Sequence, residues 1–152
     1  MSKSCALPKS MFPLKFKVKS PSHALALARA LVGPFRRWTT DMLATDDPDA
    51  TYTGEISPKD ARAQAFCALG ALRRVNTKHE KRAEYFLQKA AAFMRYGTDI
   101  EGFNQDDIFE VNDRVRNKET HGKVLKMFTK AIQLAKKAEK EIGFRGQLVP
   151  RR

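Results

Sequence analysis

Residues 120–142 read THGKVLKMFTKAIQLAKKAEKEI, and this stretch decides the fold. At about 100° per residue, Val124, Leu125, Phe128, Ala131, Ile132 and Ala135 line one face. Lys123, Lys126, Lys130 and Lys137 fall roughly opposite. A period near 3.6, held for about six turns, belongs to an amphipathic helix and not to a strand. Thr120 is placed to cap it and Gly143 to stop it, which predicts a helix over His121–Ile142. Glu139 falls near the apolar face, so the last turns are expected to project beyond the body.

Upstream of this helix, residues 98–119 read as an irregular connection anchored by Ile108, Phe109 and Val111. Before it, Thr77–Lys78–His79–Glu80 has the pattern of a capping box. The helix it opens carries Ala83, Phe86, Leu87, Ala90 and Met94 on one face and ends near Gly97. Ser57–Pro58–Lys59–Asp60 predicts another helix start, with the helix running to about Arg74. Its stripe is narrow: Ala61, Ala65, Ala68, Leu69 and Leu72. Gly70 in mid-helix costs about 1 kcal/mol relative to alanine, which predicts a second backbone passing close to it.

Residues 44–57 read as a loop or short β-hairpin, with a turn at Asp46–Asp47–Pro48–Asp49 and a strand over Tyr52–Ile56. Ser20–Pro21 opens the first helix, which runs through His23–Val32 and stops at Gly33–Pro34. Phe35–Leu43 is expected to form a short helix carrying Arg36, Arg37 and Trp38. In the arm before Ser20, Leu14, Phe16 and Val18 alternate with Lys15, Lys17 and Lys19. That period-two pattern suits either an edge strand packed on the body or an extended arm laid on phosphates. The fold class is therefore all-α, a compact bundle of four to five helices. A basic N-terminal arm (1–20), a helical domain (21–142) and a basic C-terminal tail (143–152) divide the chain.

The chain has 152 residues and a formal net charge of +12. The charge is uneven. Residues 1–37 carry eight Lys/Arg and no acid. Residues 38–113 carry nine basic and fourteen acidic residues, and residues 114–152 twelve basic and three acidic. Basic ends around an acidic middle attract polyanions.

Cys5 and Cys67, the only cysteines, form no disulfide framework, which fits a reducing cytoplasmic compartment. Met1–Ser20 lacks the apolar core of a secretory signal, and no apolar run reaches transmembrane length. Three histidines and two cysteines show no metal-ligand spacing. Asp46–Asp49 lacks the ligand spacing and glycine of a calcium loop. No phosphate-binding glycine loop occurs. Neither metal nor cofactor is expected.

Three patches together carry a resemblance. They are Trp38–Thr39; Ala61–Arg62–Ala63 leading into Phe66–Cys67–Ala68–Leu69–Gly70–Ala71–Leu72; and Asn112–Asp113 with Thr120–His121, Val124–Leu125 and Ala131–Ile132. The chain resembles a small uncharacterised family of bacteria and bacteriophages, domain of unknown function 6197, over about residues 24–135. The resemblance implies a bacterial or phage cytoplasmic setting and supplies no activity. The chain departs from the family pattern at Lys123, where an acidic residue is usual. The basic arm and tail lie outside the shared region.

Cys67, His121, Asn112 and Asp113 are the residue types of a thiol hydrolase. Their positions argue against one. Cys67 falls about ten residues into its predicted helix, away from any N-terminal dipole. His121 falls in a first helical turn, where positive charge is disfavoured. The reading that leads is a non-enzymatic accessory protein that docks nucleic acid by its backbone. The cations assigned to it are Lys15, Lys17, Lys19, Arg36, Arg37, Lys123, Lys126, Lys130, Lys137, Arg145, Arg151 and Arg152. Lysine predominates, and lysine acts as a point charge where arginine forks read base edges. The long connection before the last helix argues against a helix-turn-helix. The alternatives are an adaptor or phage inhibitor of an acidic host protein and, third, the Cys/His hydrolase. Trp38, Cys67, Gly70, Asn112, Asp113, Thr120 and His121 are read as structural.

Overall fold

Ser20 and Pro21 start the first helix by the chemistry their types imply. Ser20 Oγ accepts from His23 N–H at 3.1 Å, and Pro21 takes the first helical position, where no N–H is needed. This computed structural model describes residues 16–49, 54–75 and 78–148, with backbone alone for 143–148. Helix α1 spans Pro21–Val32 and a single 3-10 turn follows at Phe35–Arg37. Strands β1 (Ala44–Thr45) and β2 (Ala65–Phe66) form a small antiparallel sheet, with Ala44 opposite Phe66 and Thr45 opposite Ala65. Helices α2 (Ala68–Val75), α3 (Glu80–Tyr96), α4 (Gln105–Asn112) and α5 (Lys118–Leu148) complete the order.

The mostly helical bundle with one short sheet is the expected class. Helix α5 packs on α1 and α3, α1 also packs on α2, and α4 closes the end against α3. Buried Leu25, Trp38, Phe66, Leu69, Leu72, Leu87, Ile108, Met127 and Phe128 fill the centre. Alanines 24, 28, 83, 90, 91, 131 and 135 are also buried, and they let the helices approach closely. Met127 is fully buried, whereas Leu125 and Ile132 sit at the edge of the core.

Several elements differ from expectation. Phe35–Leu43 is not a helix. After the 3-10 turn, Trp38 is extended and bridges Phe66, and Thr39 N–H donates to Phe66 O at 3.0 Å. The helix expected from Ser57 begins only at Ala68, because three backbone donors turn to the 43–45 segment. Ile56 N–H donates to Ala44 O, Gln64 N–H to Thr45 O and Cys67 N–H to Leu43 O. Ser57–Asp60 is a turn held by the buried Arg74, whose Nη1 donates to Pro58 O (2.9 Å) and Asp60 O (2.6 Å). Tyr52 and Thr53 of the expected strand lie outside the described residues, and Thr45 bridges Glu55.

Thr77 also lies outside the described residues, and His79 stands at the N-cap of α3 without a side-chain cap bond. The C-terminus of α3 is as read: Gly97 is left-handed and its N–H closes on Phe93 O at 2.8 Å. Within the supposed irregular connection, α4 is opened by a capping box. Asn104 Oδ1 accepts from Asp106 N–H, and Asp107 Oδ2 accepts from Asn104 N–H.

Thr120 does not cap α5. Asn117 Oδ1 accepts its N–H at 2.8 Å, and Thr120 is buried in the first turn. Gly143 does not stop the helix, whose backbone continues to Leu148; one glycine costs about 1 kcal/mol and breaks nothing by itself. Glu139 does not mark a projecting end. Its carboxylate accepts from Ser22 N–H (2.8 Å) and Ser22 Oγ (2.7 Å), so it caps α1 from the far end of α5. Glu139→Ala is expected to lower unfolding stability by about 1 kcal/mol in urea titrations. Glu139→Gln, which keeps one acceptor oxygen, should lose less.

Candidate nucleic-acid interface

The row on α5 stands on the helical period. Lys123, Lys126 and Lys137 are exposed, while Lys130 is half-buried with Nζ 4.4 Å from the Phe93 ring centroid. Lys136 is also exposed, but it lies about 100° round the helix from Lys137 and is not part of the row. No acidic residue occurs between 120 and 138, and Glu139 is turned onto α1. Among the described residues, none of these lysines pairs with a carboxylate. Lys123 to Lys137 spans about 21 Å at 1.5 Å per residue, within a stripe about 60° wide.

The other cations assigned from sequence fare differently. Lys17 and Lys19 are exposed, and Phe16 and Val18, which alternate with them, pack against the core, but the described residues 16–19 form no strand. Arg36 is held by Asp49 at 3.3 Å, so the acidic turn partly neutralises it. Arg37 is half-buried, and burial lowers its pKa. Lys15, Arg151, Arg152 and the Arg145 side chain lie outside the described residues.

Of the residues read as structural, Asn112, Asp113 and His121 gather around Trp38. Its Nε1 donates to Asn112 Oδ1 at 2.9 Å, and that same oxygen accepts from Ala68 N–H at 2.9 Å. Asn112 Nδ2 donates to Thr39 O (3.1 Å) and to Asp113 Oδ1 (2.6 Å). Asp113 Oδ1 also accepts from Asp41 N–H at 3.0 Å, where Asp41 is left-handed with φ of 65°. The His121 ring lies 5.3 Å from Trp38 and 5.5 Å from Phe35, and its Nε2 donates to Val32 O at 2.7 Å. Arg116 donates to the carbonyls of Phe35 and Trp38 and lies over the Phe35 ring.

The family model of DUF6197, a family of unknown function, matches residues 17–134. The chain belongs to this family. No curated protein and no solved structure matches it. The DUF6197 region reaches further toward the N-terminus than the resemblance implied, so Lys17 and Lys19 fall inside it. Of the α5 row, Lys123, Lys126 and Lys130 lie within the family region and Lys137 beyond it.

The thiol-hydrolase geometry does not assemble. Cys67 lies not deep in a helix but just before α2, where its Sγ accepts from Gly70 N–H at 3.2 Å. An N-terminal position ordinarily favours a thiolate. Here burial outweighs it: Cys67 is 2% exposed, and burial pushes its thiol up to about 12. Asp113 and Glu55, across a cleft of about 380 Å³, oppose ionisation further. Burial also raises the Asp113 carboxyl. Among the described residues no hydrogen bond joins Cys67 to His121, whose ring is engaged by Val32, Phe35 and Trp38. Among the same residues no three His, Cys, Asp or Glu side chains group to hold a metal ion. No described helix is long and apolar enough to cross a membrane.

The connection between α4 and α5 is short, residues 113–117, so a long connection no longer argues against a helix-turn-helix. A different observation does. The first turn of α5, which would enter a groove, has Thr120 and His121 buried in the bundle.

Proposed function

We propose that this DUF6197 protein is a non-enzymatic accessory protein of a bacterial or phage-infected cytoplasm that binds the phosphate backbone of nucleic acid through the lysine row of α5. The observation that carries the reading is the row itself: Lys123, Lys126 and Lys137 exposed and Lys130 half-buried between them, none paired with a carboxylate among the described residues, and the row interrupted by no acid. Mutual repulsion along such a row is relieved when it displaces counterions condensed on a polyanion. Ammonium groups carry charge without the fork that reads a base edge, so contacts are to phosphate and sequence preference is weak. Lys17 and Lys19 add charge from the N-terminal side.

Four phosphate contacts predict a log–log salt slope of about −3.6 on duplex DNA and about −2.8 on single strands. Raising salt from 50 to 200 mM should then weaken binding about 50- to 150-fold. Lys123→Glu, Lys126→Glu and Lys137→Glu together should reduce the slope by about 2.7 on duplex DNA and about 2.1 on single strands, and weaken binding to unrelated sequences alike. Fluorescence anisotropy across a salt series reads both. Absence of binding at 50 mM salt defeats the proposal and leaves an acidic protein face as the counterpart of the row.

A further inference from the structure

We infer that the protein prefers single-stranded over duplex nucleic acid, because the first lysines of the row form the rim of a groove that accepts unpaired nucleotides; this rests on the phosphate reading above. The groove lies at the corner where α4 passes into α5 and encloses about 620 Å³. That is within the about 300–1,000 Å³ of pockets that hold small organic ligands. Met94, Val111 and Val115 line it, and Arg114, Lys123 and Lys126 supply the cations of its wall. Glu110 and Glu119 also line it, as does Arg95, which pairs with Asp107 outside the lining. Arg114 holds Glu110 only loosely, at 3.9 Å between exposed groups.

Val115 is 74% exposed, an apolar side chain left in water beside free ammonium groups. Phosphate on Lys123 and Lys126 does not cover it. A base does.

The distinction between strand states follows from what each can present. A duplex turns its bases inward and offers this corner only sugar and phosphate. Laid over the groove, it brings anionic oxygens against Val115 and desolvates them without a partner. A single strand has bases free to rotate. One or two can lie on the Met94, Val111 and Val115 surface while their phosphates remain on the lysines. Lys123 and Lys126 belong to both the groove and the α5 row, so the strand continues from one to the other.

A fluorescently labelled 20-nucleotide strand of mixed sequence, made as DNA and as RNA, is titrated with the full chain. Each strand is tested alone and annealed to its complement, at 50 and 150 mM salt. The single strands should bind about ten-fold more tightly than their duplexes. Val115→Ser is the discriminating variant, since an exposed position changes stability little. It should erase most of that preference by weakening single-strand binding, while duplex binding should not fall, since a hydroxyl removes the penalty of laying phosphate on an apolar side chain. Lys123→Glu with Lys126→Glu should weaken both forms. Equal affinity for strand and duplex overturns the groove assignment and leaves the phosphate reading intact. A preference that survives Val115→Ser overturns it as well. No binding by any form at 50 mM salt overturns both readings.

Discussion

Replacing Gly70 by alanine is expected to destabilise the fold by about 3 kcal/mol, against the sign of helix propensity. In an unconstrained helix the change gains about 1 kcal/mol. Here a Cβ on Gly70 would overlap the backbone carbonyl of Leu43. That carbonyl cannot swing away cheaply. It accepts from Cys67 N–H at 3.1 Å, and Leu43 N–H is held by Glu55 Oε2 at 3.0 Å. The chain then enters β1, which pairs with β2 immediately before α2. Accommodating one methyl therefore means parting α2 from the strand that sets its start. Urea unfolding followed by circular dichroism measures the loss. Gly33→Ala is the control: its Cβ meets only ordinary contacts at 3.5 Å, and φ there is −55°. That variant should fall within about 0.5 kcal/mol of the parent. If Gly70→Ala is as stable as Gly33→Ala, the Leu43 backbone does not lie where the structure puts it.

Gly70 also shows what a sequence can disclose. A glycine inside a helical pattern has a local cost, so the need for a nearby backbone was legible; which backbone was not, because Leu43 is 27 positions away. Helices α1, α3 and α5 were legible for a similar reason. Each repeats its apolar face for three turns or more, and Ser20 and Gly97 mark ends by local chemistry. Helix α4 was not. It has eight residues, too few to establish a period, and its one local signal was the acid three places after Asn104. Ser57–Pro58 misled because it carries the residues of a helix start, while the donors that follow it bond to residues 43–45.

The site divides the same way. The row from Lys123 to Lys137 follows from one helix and could be read in advance. The partner of Arg36 in the acidic turn, the capping of α1 by Glu139 and the groove beside Val115 depend on elements meeting across the bundle.

Asn112→Leu is expected to cost about 4 kcal/mol, more than the methyl forced onto Gly70. Asn112 is fully buried and uses its amide in both directions. Its oxygen takes the Trp38 indole and the Ala68 backbone N–H, the latter at the start of α2. Its nitrogen serves the Thr39 carbonyl and the Asp113 carboxylate. Two donors on the oxygen and two acceptors on the nitrogen leave one consistent orientation of the amide. Leucine fills similar space but orphans buried groups, each costing about 1–3 kcal/mol before relaxation. Trp38 is the only tryptophan, so its indole N–H resonance reports directly on the lost bond.

Asn112→Asp separates charge from shape. It keeps both accepted bonds but loses both donated ones and sets a second carboxylate against Asp113. Burial and that neighbour favour the protonated form of the new acid, so its pKa in the folded protein is raised. The variant should therefore be weakest near neutral pH and recover part of its stability as pH falls toward the ordinary carboxylate range. A pH-independent loss would mean that shape, not charge, governs the site. Val115 follows Asn112 by three residues, and Asn112 is what ties the end of α4 to Trp38 and α2. Weakening that tie also frees the corner that forms the groove. At temperatures where Asn112→Leu is still folded, its preference for single strands should fall more than its binding to duplex.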